Sequence, residues 1–398
     1  MPEAGSERSS KVRSTKVDLY KDLNARAELI ARGAAEWRDR RSWVRREARE
    51  RLRKGAWSEP VVEAALEAAL WDLDLPTAER LVGIFGGVGT SALVILPGNV
   101  LGPAVVSAYC AAVTGSRAIL KAGSDERQLA EIVEQQFESL GPPLARTVQA
   151  RYWRGGDLVA EAAAFEDVSR VIAFGEDATI ADIARRAPAS VDLVAYGEAY
   201  SIGLVGAGAP VDQVAHAAAF DVCMFDQRGC MSPQTIYVAG PRQRAAVFAR
   251  ALALKLAELN RKLPRAHPAL GEAEAAADLV RRMSASAFEP EPGGTETFIV
   301  GPLRDLVPDF VVAVEPFGEP RCAGFGRAVS VRPLRSTAEL GGAIRAFGRR
   351  LDTVGTGGDV GQEALASLGA LRVCPFGEMQ RPPFGYRPKP SDFAEPGI

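Results

Sequence analysis

Between residues 82 and 205, short unbroken apolar runs alternate with stretches in which apolar and charged positions recur at helical spacing. Residues 92–96 (ALVIL), 117–122 (RAILKA), 169–174 (SRVIAF) and 201–205 (SIGLV) have the texture of strands buried on both faces. Residues 125–140 (DERQLAEIVEQQFESL) and 178–187 (ATIADIARRA) read as amphipathic helices. The alternation continues: 235–240 (TIYVAG), 310–315 (FVVAVE) and 328–334 (AVSVRPL) predict strands, and 242–263 and 336–351 predict helices. Such alternation implies an α/β fold, a parallel sheet flanked by helices. No internal repeat is visible.

The N-terminal texture differs. Residues 1 to about 16 are polar and read as a disordered tail. In 37–55 the apolar positions Val44, Ala48 and Leu52 recur every four residues, with Gly55 as a stop. Ser58 and Pro60 start a second helix over 61–73. The arginines of 37–55 suggest RNA, but Asp39, Glu47 and Glu50 interrupt them, which favours a solvated helix face. The final stretch, 376–393 (FGEMQRPPFGYRPKPSDF), is proline-rich and reads as an irregular strap packed on the domains.

Composition narrows the function classes. A net charge of -2 supplies no field for nucleic acid or anionic membranes. No apolar run approaches the roughly 18 residues of a membrane span, and the N-terminus lacks the apolar stretch of a signal peptide. The cysteines at 110, 223, 230, 322 and 374 are scattered and odd in number, which suits a reducing cytosol and a cytoplasmic location. With only His216 and His267, and no cluster at zinc spacing, no metal site is expected. Two glycine clusters, 86–91 (GGVGTS) and 203–208 (GLVGAG), invite a nucleotide-loop reading. Neither is G-x-G-x-x-G and neither is followed by Lys-Ser/Thr, so turn glycines are the better reading.

The candidate chemistry lies at 225–238 (FDQRGCMSPQTIYV). Cys223 falls on the apolar face of the preceding helical segment, whereas Cys230 lies beyond it, in a turn with Gly229 and close to Arg228. A nearby cation or backbone N–H groups lower a thiol pKa, so the choice for Cys230 is between a nucleophile and a small core residue. Asn99 follows the first buried strand in a turn, where local backbone capping is the usual role, and Lys121 ends the next strand.

Taken in order, "PGNV…GP", "ILKAGSDE", "VIAFGED", "DQRGCMSPQTIYV", "LDTVGTGGD" and "VCPFGEMQRPPFGYR" resemble the aldehyde dehydrogenase superfamily. More closely, they resemble its acyl-CoA reductase branch, the LuxC-like fatty-acyl reductases, from about Gly83 to Arg387. The resemblance implies an aldehyde-dehydrogenase-like fold: an N-terminal tail and helical arm (1–76), a Rossmann-type cofactor domain (77–205), an α/β catalytic domain (206–370) and a C-terminal strap (371–398). It implies Cys230 as the catalytic cysteine and Asn99 as the side-chain donor of the oxyanion hole. Lys121 would bond the cofactor ribose, and Gly175 would begin the loop that approaches the cofactor. The superfamily usually follows that glycine with Ser; here it is Glu176, a carboxylate suited to a helix start.

Reduction of an acyl thioester, from acyl-CoA or an acyl-carrier or acyl-synthetase protein, is the implied activity, carried out by a homo-oligomer through an acyl-cysteine. An oxidising relative needs a base to activate water. Glu198 is the candidate, 32 positions before the cysteine (230 − 198), with a locally bonded turn carboxylate as the competing reading. The family's Glu-Leu-Gly-Gly pattern is missing, and strand alignment puts Tyr196 opposite the usual base. Three positions after Lys121, NAD-preferring relatives often carry Glu; here Ser124 favours NADPH over NADH. The alternatives are an oxidising NAD(P)-dependent aldehyde dehydrogenase and a non-redox cysteine acyltransferase.

Overall fold

The computed structural model describes the chain except residues 1–5, 53–56, 124–126, 266–270, 272–273, 279–280, 282–296, 305–306, 322–325, 362–364 and 396–398, and the side chains of 6–21, 297, 304 and 337. The chain divides into two compact units, each discontinuous in sequence. The first comprises Met1–Gly55, Ala65–Gly197 and Pro383–Ile398; the second comprises Ala56–Ala64 and Glu198–Pro382.

The first unit is built on a parallel sheet of β1 (Ser91–Ile95), β2 (Arg117–Ala122), β3 (Val148–Tyr152), β4 (Arg170–Phe174) and β5 (Asp192–Tyr196), in the order β3-β2-β1-β4-β5. Strand order reverses about β1. The helix after β1, Pro103–Thr114, has Pro at its start and left-handed Gly115 at its end, and almost every residue in it is buried, which explains its lack of charge. Leu93, Ile119, Val171 and Phe165 form part of the core on one face of the sheet.

The N-terminal helices belong to this unit. Helix Ser6–Arg38 begins within the predicted polar tail; no Pro or Gly lies between Ser6 and Arg32 to stop it. Buried Gln136 ties this helix down, accepting from the Trp37 indole (2.7 Å) and donating to Gly33 O (3.0 Å). Some of the arginines of 37–52 are engaged within the fold. Arg45 is fully buried and donates to Trp37 O (2.7 Å), while Arg51 pairs with Glu47 and Glu131.

The second unit carries a seven-stranded sheet. Its strands are β6 (Tyr200–Val205), β7 (Pro233–Ala239), β8 (Thr297–Val300), β11 (Val311–Val314), β12 (Ala328–Leu334), β13 (Leu351–Gly357) and β14 (Arg372–Pro375). The order is β14-β13-β6-β7-β12-β11-β8, parallel except for β8. A separate antiparallel pair joins β9 (Leu303–Arg304) to β10 (Val307–Pro308). Residues 201–205 thus sit inside this sheet, and the division falls at Gly197 rather than after 205. Residues 371–398 are likewise shared: β14 belongs to this sheet, and 383–398 belong to the first unit.

The glycine clusters serve close packing as well as turning. Gly87 has φ of 87°. A Cβ on Gly89 would lie 2.5 Å from backbone atoms of Gly115 and Ser116, and one on Gly203, inside β6, would lie 2.3 Å from the Phe376 ring. Phe376 also lies 3.0 Å from where a Cβ on Gly355 would stand, so the ring is boxed in on two strands. Gly203→Ala is expected to destabilise the fold by about 1–3 kcal/mol through overpacking. Urea denaturation checks this; an unchanged midpoint would show that the ring can yield.

Candidate active site

Cys230 lies in the second unit, after a backbone feature that sequence reasoning did not find. Helix Val211–Cys223 ends in a 3-10 turn, Met224–Gln227, in which Phe225, Asp226 and Gln227 have φ of 52°, 49° and 63°. Left-handed conformations cost L-residues roughly 1–2 kcal/mol each, so three in a row persist only if their surroundings enforce them. The enforcement is visible. Arg327 pairs with Asp226 at 2.7 Å, and both side chains are essentially fully buried. The same guanidinium donates to Asn260 Oδ1 (2.7 Å), Leu263 O (2.8 Å) and Cys223 O (3.3 Å). Removing one partner of such a pair typically costs about 3–5 kcal/mol, because the other charge is stranded. Gln227 donates to Pro233 O and accepts from Ala328 N, both at 2.7 Å.

Beyond the turn, Arg228 N donates to Phe225 O (2.9 Å), and its guanidinium stands 5.1 Å from the Trp57 ring centroid. The carbonyl of Cys230 accepts from Ser201 Oγ (2.7 Å), which itself accepts from Thr353 N (3.0 Å). Ser201 lies at a register shift between β6 and β7, and the β6–β13 pairing is irregular at the same level. Bulges of this kind re-aim strands beside functional sites.

Cys230 is partly exposed, whereas the other described cysteines, Cys110, Cys223 and Cys374, are buried. Burial pushes the Cys223 thiol up to about 11 and the Cys374 thiol up to about 12, and raises that of Cys110 well above its ordinary value. These three are poor nucleophiles near neutral pH.

The remaining sequence-predicted residues divide between the units. In the first, Lys121, next to last in β2, is level with Ile95 of β1, and Ile95 is level with Ala173 of β4. Asn99, exposed in the loop after β1, and Gly175, just past β4, therefore gather with Lys121 at the carboxyl end of the parallel sheet, where strand order reverses. In open α/β sheets this is where ligands bind. Lys121 is not a solvent-facing strand-end lysine: its ammonium lies 5.8 Å from the Trp153 ring centroid, and partial burial lowers its pKa, opposed by Glu161. Glu176 is the exposed N-cap of helix Asp177–Arg186 and makes no side-chain capping bond. Ser124 lies outside the described residues.

Glu198 is exposed and opens the second unit, in the link between β5 and β6. Tyr196 is committed elsewhere in the first unit. Its ring stacks on Phe174 (4.8 Å between centroids), and its hydroxyl donates to Asp392 (2.5 Å). Burial, then the Asp392 carboxylate, raise its pKa, so the phenol stays protonated.

A second buried carboxylate, Asp221, anchors the segment after β14. It accepts from Gly377 N (2.6 Å) and Met379 N (3.2 Å), and burial nevertheless pushes it up to about 7. The folded state therefore holds this proton more tightly than the unfolded chain, where the pKa is about 4. Asp221's contribution to stability is full below about pH 4 and is lost as pH rises through about 7. Melting curves over that window should fall more steeply for the wild type than for Asp221→Asn; equal slopes would contradict this.

The family profile described as acyl-CoA reductase (LuxC) matches residues 87–387. The chain belongs to the acyl-CoA reductase (LuxC) family. Among its relatives is a long-chain acyl-protein thioester reductase of Aliivibrio fischeri, 25% identical over 210 residues, covering 52% of this chain and 43% of the relative. Another, of the same description, from Photorhabdus luminescens is 31% identical over 151 residues, covering 37% and 31%. The chain thus matches less than half the length of these curated LuxC-type relatives. Its fold is that of aldehyde dehydrogenases. A crystal structure of a NAD-dependent benzaldehyde dehydrogenase from Corynebacterium glutamicum superposes with a TM-score of 0.67 at 16% identity, covering 93% of this chain and 86% of that one. Among the described residues, no helix is long and apolar enough to cross a membrane.

Proposed function

We propose that this chain reduces an activated fatty acid, presented as acyl-CoA or an acyl-protein thioester, to the aldehyde through an acyl-Cys230 intermediate, with NADPH as reductant. The observation that carries this reading is the enforced turn that presents Cys230, the one described cysteine not deeply buried. The names of the LuxC-type relatives supply the substrate class.

The Cys230 thiolate attacks the thioester carbonyl. Asn99 and the Cys230 N–H stabilise the resulting oxyanion, which collapses to expel the donor thiolate and leave acyl-Cys230. This divides one difficult step into two easier ones. The reduced nicotinamide supplies a hydride equivalent when bound. Once the acyl carbon carries that hydride, the C–S bond breaks, the aldehyde leaves and the Cys230 thiolate is restored.

The first unit fits such a cofactor. Lys121, Asn99 and Gly175 stand at the carboxyl end of its sheet, and a Cβ on Gly175 would meet only Thr179, at 3.7 Å. Among the described residues no packing demands glycine there, whereas a closely approaching ligand would. Lys121 would hold the ribose, the neutral Ser124 would donate to a 2′-phosphate, and Glu176 would remain in solvent. Glu198 is the base that the oxidising direction would need; reductive turnover does not require it.

Intact-mass measurement tests the proposal. Incubation with palmitoyl-CoA should add one acyl group at Cys230, and NADPH should remove it with release of aldehyde, faster than NADH does. Release of free acid without reductant, abolished by Glu198→Gln, would indicate an oxidising aldehyde dehydrogenase. Stable acylation that no nicotinamide discharges would indicate an acyltransferase.

A further inference from the structure

We propose that Arg327, Asp226 and Gly326 are positioning residues for the Cys230 nucleophile: the buried Arg327–Asp226 pair and the close approach of Gly326 lock the left-handed turn that aims the cysteine. This inference rests on the reading of Cys230 as the acyl acceptor.

The pair joins segments 101 positions apart in sequence. On one side is the turn Phe225–Gln227, whose dihedrals its own residues do not favour. On the other is Gly326-Arg327, at the entry to β12, where Arg327 is itself left-handed with φ of 59°. A Cβ on Gly326 would stand 2.2 Å from the Asp226 carbonyl oxygen, so only glycine lets the two backbones meet. Arg327 addresses four partners with one planar fork: the Asp226 carboxylate, the Asn260 amide, and the carbonyls of Cys223 and Leu263. Lysine would keep the charge but could not reproduce that geometry.

A pair that only stabilised the fold could sit anywhere in the core. This one holds the residues immediately before the cysteine loop, while Ser201 pins the Cys230 carbonyl on the far side. The loop is thereby fixed at both ends, and the nucleophile inherits its orientation from them. Misplacement by about 1 Å can cost a reaction on the order of 100-fold, so geometry at this level is a rate effect and not only a stability effect.

The test uses the full chain and S-octanoyl-N-acetylcysteamine, a thioester with no carrier to recognise. Arg327→Lys, Asp226→Asn and the uncharged Gly326→Ala are compared with wild type and with Leu340→Ala, a core truncation in another helix of the same unit. Each protein is assayed at a temperature where its melting curve shows it folded, and any one folded turn variant decides the matter. Acylation of Cys230 should slow about 30-fold or more in the turn variants. Alkylation of Cys230 by iodoacetamide, which makes little demand on approach geometry, should stay within about threefold, and Leu340→Ala should acylate at the wild-type rate. Turn variants that acylate as fast as wild type would overturn the positioning role alone, as would equal slowing in Leu340→Ala. A wild type that is alkylated but never acylated would overturn the acyl-acceptor reading and the positioning role with it.

Discussion

Replacing Cys230 by alanine is expected to abolish covalent capture of the acyl group and all aldehyde formation, whereas Cys223→Ala should retain most of both. The contrast follows from burial and not from sequence position, since only seven positions separate the two thiols (230 − 223). Cys223 is fully buried at the end of its helix, and that burial pushes its thiol up to about 11, so the thiolate is scarce at neutral pH. Its carbonyl accepts from Arg327, a bond that alanine keeps. Removing one sulfur from the core should cost about 1 kcal/mol or less if the site collapses well. Mass spectrometry after incubation with acyl-CoA reads capture directly, and a melting curve separates lost chemistry from lost fold. Equal loss from both variants, with both folded, would remove Cys230 from the reaction.

Asn99→Ala is expected to lower kcat by about 10²–10³, the usual consequence of deleting one oxyanion donor. Asn99 is exposed in the loop between β1 and a helix already started by Gly102 and Pro103, so the substitution should leave the helix start intact. Cofactor affinity, followed by quenching of protein fluorescence on NADPH addition, should stay near the wild-type value. If affinity falls and kcat does not, Asn99 serves the cofactor or the turn, and the oxyanion role is wrong.

The parts of the fold that were legible in the sequence are those in which burial is written into composition. β1, β2, β4 and β6 are nearly continuous apolar runs because both their faces are covered. β3 and β5 escaped notice because they are the sheet's edge strands: VQARY and DLVAY are largely exposed or half-buried, and their polar residues hide the run. The division at Gly197 is hard to read from sequence for a related reason. An apolar strand does not announce which sheet it joins, and Tyr200–Val205 follows β5 after a link of only three residues, Gly197 to Ala199. At the candidate site, Cys230 stood out because Gly229 and Arg228 adjoin it. The three left-handed residues before it carry no glycine to signal them, and Arg327 lies about a hundred positions away, so only the folded chain reveals that contact.

The interleaving of the two units bears on how the protein is made. Most of the first unit precedes the second in sequence, yet its sheet is closed by residues 392–394, which follow the second unit. Thr90 N donates to Phe393 O, Gly89 bridges to Ala394, and the Arg170 guanidinium reaches Asp392 O and Ala394 O. Domains usually fold in order of synthesis. Here the earlier unit must wait, with those donors in water, until the later one has been translated. Cutting the chain at Pro382 would therefore damage the unit that lies almost wholly before the cut, and a nascent chain stalled before that point would present the first unit unfinished.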